Sequence, residues 1–186
     1  MPKEYNLTTK EKVKAMLEIS GTTDDSVIDT LCDGMTAFIE NITGNQRFKL
    51  TEHEDEIHDG DDGQWIRLNH RFIYEEADIK VEIKNGSSWG ELSQSDYEVY
   101  LSNGTVYLNY KITGKRNIKV SYSAGFINIP HDLEMVATSM VSRAYNRRKS
   151  QGVANESFEG VNLSWADVMT EAEKLIIESY TRRSFI

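Results

Sequence analysis

The residues that could carry out metal or acid–base chemistry are concentrated between positions 52 and 76. Seven carboxylate residues fall within residues 52–62, with no lysine or arginine among them: Glu52, Glu54, Asp55, Glu56, Asp59, Asp61 and Asp62. An EF-hand would need acidic residues at alternate positions and a distal glutamate in register, and this run has neither. We therefore expect residues 52–62 to form a solvated acidic loop, with a weak cation site or a partner-binding segment as the alternatives.

Three histidines lie close together in the sequence, at His53, His58 and His70. Their spacings of five and twelve residues match no familiar zinc pattern, and no cysteine is available to complete one. The single cysteine, Cys32, lies in an apolar helical pattern, which predicts a buried small side chain rather than a nucleophile. Because one cysteine cannot form an internal disulfide, its use is typical of a reducing compartment. We expect no metal site and no cofactor.

Catalytic patterns are also missing from the sequence. Glu75 and Glu76 form a carboxylate pair, but adjacent residues on a strand point to opposite faces and would not converge. No nucleophile elbow, P-loop or dinucleotide-binding glycine pattern occurs, and the glycines fall at predicted turns and helix ends. We therefore expect a protein without enzymatic activity. A hydrolase or metal enzyme with an unrecognised site is the poorer alternative.

The charge distribution indicates possible partners. The net charge of −9 argues against electrostatic binding of nucleic acid, which needs clustered lysine and arginine. Arg143, Arg147 and Arg148 follow an i, i+4, i+5 spacing and share one side of a predicted helix. They form either a solvated surface that complements the helix dipole or an intersubunit contact, since arginine forms bidentate pairs with carboxylates.

A second basic group lies near residue 186. Residues 180–186 combine aromatic, aliphatic and basic side chains, a composition favoured at protein interfaces. The candidate contact residues there are Tyr180, Arg182, Arg183 and Phe185. A frayed terminus is the alternative interpretation of this segment.

Length and hydropathy favour a compact intracellular protein. A chain of 186 residues fits one domain, which can bury a core without a metal or disulfide. Residues 1–14 are polar and contain four lysines, so we expect no signal peptide. No run approaches the roughly 20 apolar residues of a membrane span, and we expect no membrane association.

Helical patterns occur before residue 45 and after residue 128. A Thr8/Glu11 capping box predicts the first helix, with Gly21 at its end. The second begins at Thr23 or Asp24 and ends before Gly44. Two further helices are predicted, one from Pro130 to Gly152. The other starts at Ser164, whose spacing to Asp167 resembles a start signal, and runs nearly to residue 186.

Period-two patterns fill the middle of the chain. Ile79, Val81 and Ile83 alternate with charged residues, and a hairpin is predicted around Ser102-Asn103-Gly104. Shorter strands are predicted near residues 48–50 and 65–68, and a last strand over residues 118–122. Together these predict a small antiparallel sheet of four to six strands.

The order of elements predicts an α+β fold, a four-helix bundle-like unit with an inserted small antiparallel β-sheet or hairpin region. We expect a single domain over residues 1–186. It comprises a helical pair (1–44), a β insertion (45–127) and a second helical pair that completes the bundle (128–186).

Three groups of residues, in this order and spacing, resemble one known family. The first group comprises Leu7-Thr8, Lys12 to Leu17, Gly21, Asp24-Asp25, Ile39-Glu40 and Thr43-Gly44. The second runs from Val120 to Phe126 and continues with Ile129-Pro130. The third comprises Arg143-Ala144-Tyr145, Arg147-Arg148, Gly152, Glu156, Gly160, Tyr180 and Arg182-Arg183. With these residues the chain resembles the tailed-bacteriophage head–tail connector (adaptor, or head-completion) proteins.

The resemblance implies a structural subunit of the phage neck, present in the virion and, during assembly, in the host cytoplasm. Such subunits form a ring, usually a dodecamer, from copies that can be monomeric in isolation. The ring docks under the portal protein, extends the DNA channel without sequence-specific binding, and is the platform for a stopper or tail-completion protein. The resemblance also implies that Tyr180, Arg182, Arg183 and Phe185 contact the portal. The alternative is an intracellular monomeric or dimeric protein-binding module without catalytic activity.

Overall fold

The computed structural model describes residues 5–75, 78–148, 155–158, 161–164 and 169–181, with backbone only for Asp61 and for residues 155–158 and 161–164. The described residues contain helices and antiparallel strands, which confirms the predicted α+β class. They fall into two compact units. The helical unit draws on the segments Met1–Asn45 and Ile129–Ile186, and the β unit is Gln46–Asn128. That they form one connector domain remains a prediction.

The helical unit contains α1 (Lys10–Leu17), α2 (Asp25–Ile42), α3 (His131–Arg147) and α4 (Glu171–Tyr180). Helix α3 packs against each of the other three. One core cluster joins Val13 of α1, Ile28 and Cys32 of α2, and Val141 and Tyr145 of α3. Cys32 is buried as predicted, and burial raises the pKa of its thiol to about 11. The bundle arrangement remains a prediction.

Helix α1 begins one residue later than predicted. Its N-cap is Thr9, whose hydroxyl accepts a hydrogen bond from Lys12 N. Thr8 is buried, and its hydroxyl is hydrogen bonded to the Thr138 hydroxyl of α3 at 2.6 Å. The helix ends at Leu17 because Glu18 already adopts a left-handed conformation, with φ of 55°, three residues before Gly21.

The other helix boundaries match the predictions to different degrees. Asp24, one of the two predicted starts of α2, is its N-cap, and α3 begins at His131, one residue after the predicted first position at Pro130. The predicted start of the last helix at Ser164 is wrong. Ser164 ends a strand, and the capping box is formed by Thr170 and Glu173, each side chain bonding the backbone of the other. The predicted end of the third helix at Gly152 lies outside the described residues.

A short hairpin of β8 (Asn155–Phe158) and β9 (Val161–Ser164) also belongs to the helical unit.

Seven described strands of the β unit form two antiparallel sheets, so the predicted single sheet of four to six strands is wrong. Their bounds are β1 (Thr51–Asp61), β2 (Trp65–Arg67), β3 (Lys80–Asn85), β4 (Ser88–Glu91), β5 (Tyr97–Tyr100), β6 (Thr105–Leu108) and β7 (Thr113–Ala124). The four-stranded sheet has the order β1-β7-β3-β4, and the three-stranded sheet has the order β2-β6-β5. The two sheets share one core, which includes Val81 and Val120 of the first and Val106 and Leu108 of the second.

The acidic run is not the predicted loop. It forms the long strand β1, which pairs with β7 from Thr51 opposite Ala124 to Asp61 opposite Thr113. The twelve-residue strand β7 supplies ladder partners from end to end of β1, with two register irregularities, between His53 and Glu56 and between His58 and Gly60. Lys119 of β7 offsets part of the charge, because its Nζ lies 3.2 Å from Asp55 and 2.8 Å from Glu82 of β3. Near residues 48–50, Lys49 makes a single bridge to Phe126 instead of a strand.

Candidate interaction surfaces

Arg143, the first of the three predicted contact arginines, is tied to α4. Its Nη2 donates to Glu173 Oε1 at 2.6 Å, with 24% and 10% of the two side chains exposed. Burial alone would raise the pKa of Glu173, but the hydrogen bonds from Arg143 and from Thr170 N lower it below its usual range. The pair therefore joins α3 to the first turn of α4.

Arg148 forms a cluster with Tyr145 and Asp24 between the end of α3 and the start of α2. Its Nη1 donates to Tyr145 O at 2.8 Å, and its guanidinium carbon lies 3.5 Å from the centroid of the Tyr145 ring. Tyr145 Oη donates to Asp24 Oδ2 at 2.8 Å, and Arg148 Nη2 lies 3.5 Å from Asp24 Oδ1. The Asp24 carboxylate thus faces α3, and it makes no capping hydrogen bond to its own helix. Arg147 is half-buried in the last turn of α3.

Tyr180, the first of the predicted portal contacts, is the last residue of α4 and is hydrogen bonded to α3. Its hydroxyl donates to Asp132 Oδ1 at 2.7 Å. Burial raises the pKa of the Tyr180 phenol, and the hydrogen bond to Asp132 and the charge of that carboxylate raise it further. The other predicted portal contacts, Arg182, Arg183 and Phe185, lie outside the described residues.

An exposed aromatic cluster lies on the outer face of the three-stranded sheet and was not singled out from the sequence. Trp65 is 58% exposed, and its ring centroid lies 4.8 Å from that of Tyr107 and 5.3 Å from that of Tyr100. Trp65 and Tyr107 are paired in register across β2 and β6. Their neighbours Ile66 and Val106 point into the core. The signal was present in the sequence, since these aromatic residues occupy the outward phase of the period-two pattern, and tryptophan and tyrosine are enriched in binding hot spots.

The three histidines are brought together around Glu56. The rings of His53 and His70 are stacked, with centroids 3.9 Å apart and an interplanar angle of 19°. His58 Nε2 lies 2.7 Å from Glu56 Oε1, and Tyr122 Oη donates to Glu56 Oε2. Burial alone would raise the pKa of Glu56, but the hydrogen bonds from His58, Tyr122 and Asn69 N lower it.

Two features are absent from the described residues, a metal-ligating cluster and a helix that could span a membrane. Among them, no three histidine, cysteine, aspartate or glutamate side chains are arranged to hold a metal ion. In the same part of the chain, no helix combines the length and apolar character needed to cross a bilayer. Of the predicted carboxylate pair, Glu75 is exposed and Glu76 lies outside the described residues.

Comparison with known proteins gives one family match. The family model described as "Head completion protein" matches residues 6–183. No curated protein matches the chain.

Chains with similar folds occur in solved structures of gene transfer agent (GTA) particles. A chain in the neck of an empty GTA particle computed with C6 symmetry matches with a TM-score of 0.61 and 11% identity, over 95% of this chain and 89% of that one. A chain in the virion of a native GTA particle matches with a TM-score of 0.58 and 10% identity, over the same fractions. A chain in the neck of a native particle computed with C12 symmetry matches with a TM-score of 0.57 and 11% identity, over 87% and 85%. At these identities the likeness is one of fold.

Proposed function

The chain belongs to the head completion protein family, and on that premise we propose that it is a non-enzymatic structural subunit of a tailed-phage neck. The observation that carries the proposal is the family match over residues 6–183, nearly the whole chain. The fold similarity to chains from GTA necks supports it. The protein would be located in the neck of the virion, and in the host cytoplasm during assembly.

In this role the subunit forms a ring, a dodecamer in the virion, that docks under the portal protein and extends the DNA channel. The ring is the platform for a stopper or tail-completion protein. A closed ring needs a heterologous interface, in which two different faces of the subunit meet. DNA passes without sequence-specific binding, since a subunit with a net charge of −9 holds phosphate poorly. We expect a neutral to acidic lumen, and a reconstruction of the ring with lysine and arginine lining the channel would contradict this.

Two groups of residues are proposed as contacts. Arg143, Arg147 and Arg148 are candidates for the intersubunit interface. The contacts described above for Arg143 and Arg148 hold their guanidinium groups at the α3–α4 and α2–α3 junctions. Tyr180, Arg182, Arg183 and Phe185 are candidates for portal contact.

Co-purification with the portal protein tests the assignment most directly. When the chain is co-expressed with the portal protein from the same phage genome, we expect a stable complex with a ring of this chain on the portal, visible by electron microscopy. The oligomeric state of the isolated chain is a weaker criterion, because a connector subunit can be monomeric before it meets the portal. A chain that stays monomeric or dimeric and never binds the portal would support the alternative, a protein-binding module of another kind.

Charge reversal in the last five residues tests the portal contacts. The double variant Arg182→Glu/Arg183→Glu should capture about tenfold less portal protein, since it replaces attraction with repulsion at the proposed contact. The matched control is Lys111→Glu/Lys115→Glu, which makes the same charge change at two exposed positions of the β unit. Capture is measured by pull-down at fixed ionic strength. Equal capture by both variants would show that the last five residues do not contact the portal protein.

A further inference from the structure

The segment between β2 and β3 is held on the four-stranded sheet by a small group of side chains. Asn69 N donates to Glu56 Oε1 at 2.8 Å, and His70 N donates to Tyr122 Oη at 3.3 Å. Arg71 N donates to the side chain of Gln46 at 3.0 Å. Three successive backbone amides are therefore bonded to side chains rather than to a strand ladder.

The stacked histidines provide a further contact between this segment and the sheet. The His53 ring of β1 contacts both the His70 ring of the segment, with centroids 3.9 Å apart, and the Tyr122 ring of β7, with centroids 5.1 Å apart. His53 Nε2 is buried and has no hydrogen-bond partner among the described residues. A neutral imidazole can leave that nitrogen without a proton, but an imidazolium carries a donor on both nitrogens. Protonation of His53 in place would bury a charged donor without an acceptor.

The charged groups around His53 do not favour its protonation. His70 of the β2–β3 segment and Arg47, which precedes β1, oppose a positive charge on His53, while Glu56 of β1 favours one. The oxygens of Glu56 are already engaged by Tyr122, Asn69 N and His58. Glu52, Glu54 and Asp78 line the same open groove, but their exposed carboxylates are screened by water. Burial and the His70 charge lower the pKa of His53 to about 4.

We infer that the His53–His70 stack is an acid-sensitive clamp, which holds residues 69–71 on the sheet while the His53 ring is neutral and releases them when that ring is protonated. Once the segment is released, the imidazole of His53 on β1 is hydrated and titrates near its ordinary pKa of 6.5. While the segment is clamped, the His53 imidazole stays neutral down to about pH 4. The stability of the clamped state relative to the released state is therefore fully present above pH 6.5, and it is lost as the pH falls from 6.5 towards 4. This inference does not depend on the assignment to the neck.

Hydrogen exchange at single amides tests the clamp. Between pH 7.5 and pH 5.0, the protection factors of the Asn69, His70 and Arg71 amides should fall about 30-fold, after correction for the intrinsic pH dependence of exchange. That factor is the proton linkage expected for one group with pKa values of about 4 and 6.5 in the two states. The amide of Leu108, which donates to Gln64 O at 2.7 Å, should change less than threefold. An equal loss at Leu108 would mean that the whole β unit opens, and would overturn the inference.

Two variants separate the clamp from other histidines. His53→Phe keeps an aromatic ring in the stack but cannot be protonated, so the pH dependence at residues 69–71 should vanish. His131→Phe is the matched control, because the His131 side chain is 97% exposed and lies in the helical unit, and it should keep the full 30-fold effect. If His53→Phe does not fold, an NMR titration of the wild-type imidazole decides the matter. A His53 resonance that titrates near pH 6.5 in the folded protein would overturn the clamp.

Discussion

Replacing Gly104 with alanine is expected to destabilise the β unit by about 3–5 kcal/mol, the cost of overpacking against backbone added to that of a positive φ. Gly104 has a φ of 62°, and an added Cβ would lie 2.0 Å from His70 O and 3.1 Å from Arg71 Cα. The hairpin cannot move aside easily. Gly104 O accepts from Leu68 N at 2.9 Å, and Gly104 N donates to Tyr100 O at 3.0 Å.

Gly86→Ala is the matched control for this substitution. Gly86 has nearly the same φ, 64°, and an added Cβ there would meet no atom within 4 Å. The control therefore carries the conformational cost alone, about 1 kcal/mol. Urea denaturation followed by tryptophan fluorescence measures both free energies of unfolding, since Trp65 and Trp89 lie in the β unit. Equal losses of unfolding free energy in the two variants would show that the clash between the added Cβ and His70 O is relieved without further loss of stability.

The second large effect is expected at Glu173. Glu173→Ala should lower the free energy of unfolding by about 3 kcal/mol, because it leaves the Arg143 guanidinium half-buried without its carboxylate and removes one half of the capping box. The carboxylate accepts from both Arg143 Nη2 and Thr170 N, at 2.6 and 2.7 Å. The helical content measured by far-UV circular dichroism should fall as well, since the capping box begins α4.

Glu171→Ala serves as the control on the same helix turn. The Glu171 carboxylate is 86% exposed and pairs with Lys174 at 2.7 Å, a surface contact that contributes no more than about 0.5 kcal/mol. If Glu173→Ala were no more destabilising than Glu171→Ala, the Arg143–Glu173 pair would not hold α4 on α3.

Arg143→Ala separates the internal role of Arg143 from the proposed intersubunit role. An internal role predicts that this variant loses stability as a monomer, because Glu173 keeps a largely buried carboxylate without its partner. An intersubunit role predicts weaker ring formation on the portal at unchanged monomer stability. Thermal unfolding of the isolated chain and portal co-purification, carried out on the same variant, distinguish the two.

The family assignment was accessible from the sequence because its matching residues recur as ordered local signals along almost the whole chain. The match over residues 6–183 confirms the resemblance to head-completion proteins. The contact residues inferred from that resemblance depend on partners that no single chain contains. For Arg182, Arg183 and Phe185, as for the three α3 arginines, the contacts remain predictions.

Sequence alone determined those features that depend on interactions within a few residues. The apolar spacing of α2, its start after Asp24 and the hairpin between β5 and β6 are set by side-chain periodicity and turn residues that lie next to each other in the chain. The α+β class follows from the order of such elements. Burial of Cys32 follows from its phase on the apolar face of α2.

Only the tertiary structure decided the features that depend on residues far apart in the chain. The acidic run forms a strand because β7, about 60 residues later, pairs with most of it and contributes Lys119. Thr8 is not the N-cap of α1, because its hydroxyl is hydrogen bonded to that of Thr138, 130 positions away. The His53–His70 stack and the Arg143–Glu173 pair likewise join separate elements. Local patterns cannot specify such pairs, since which distant groups meet is settled by the packing of whole elements around a shared core.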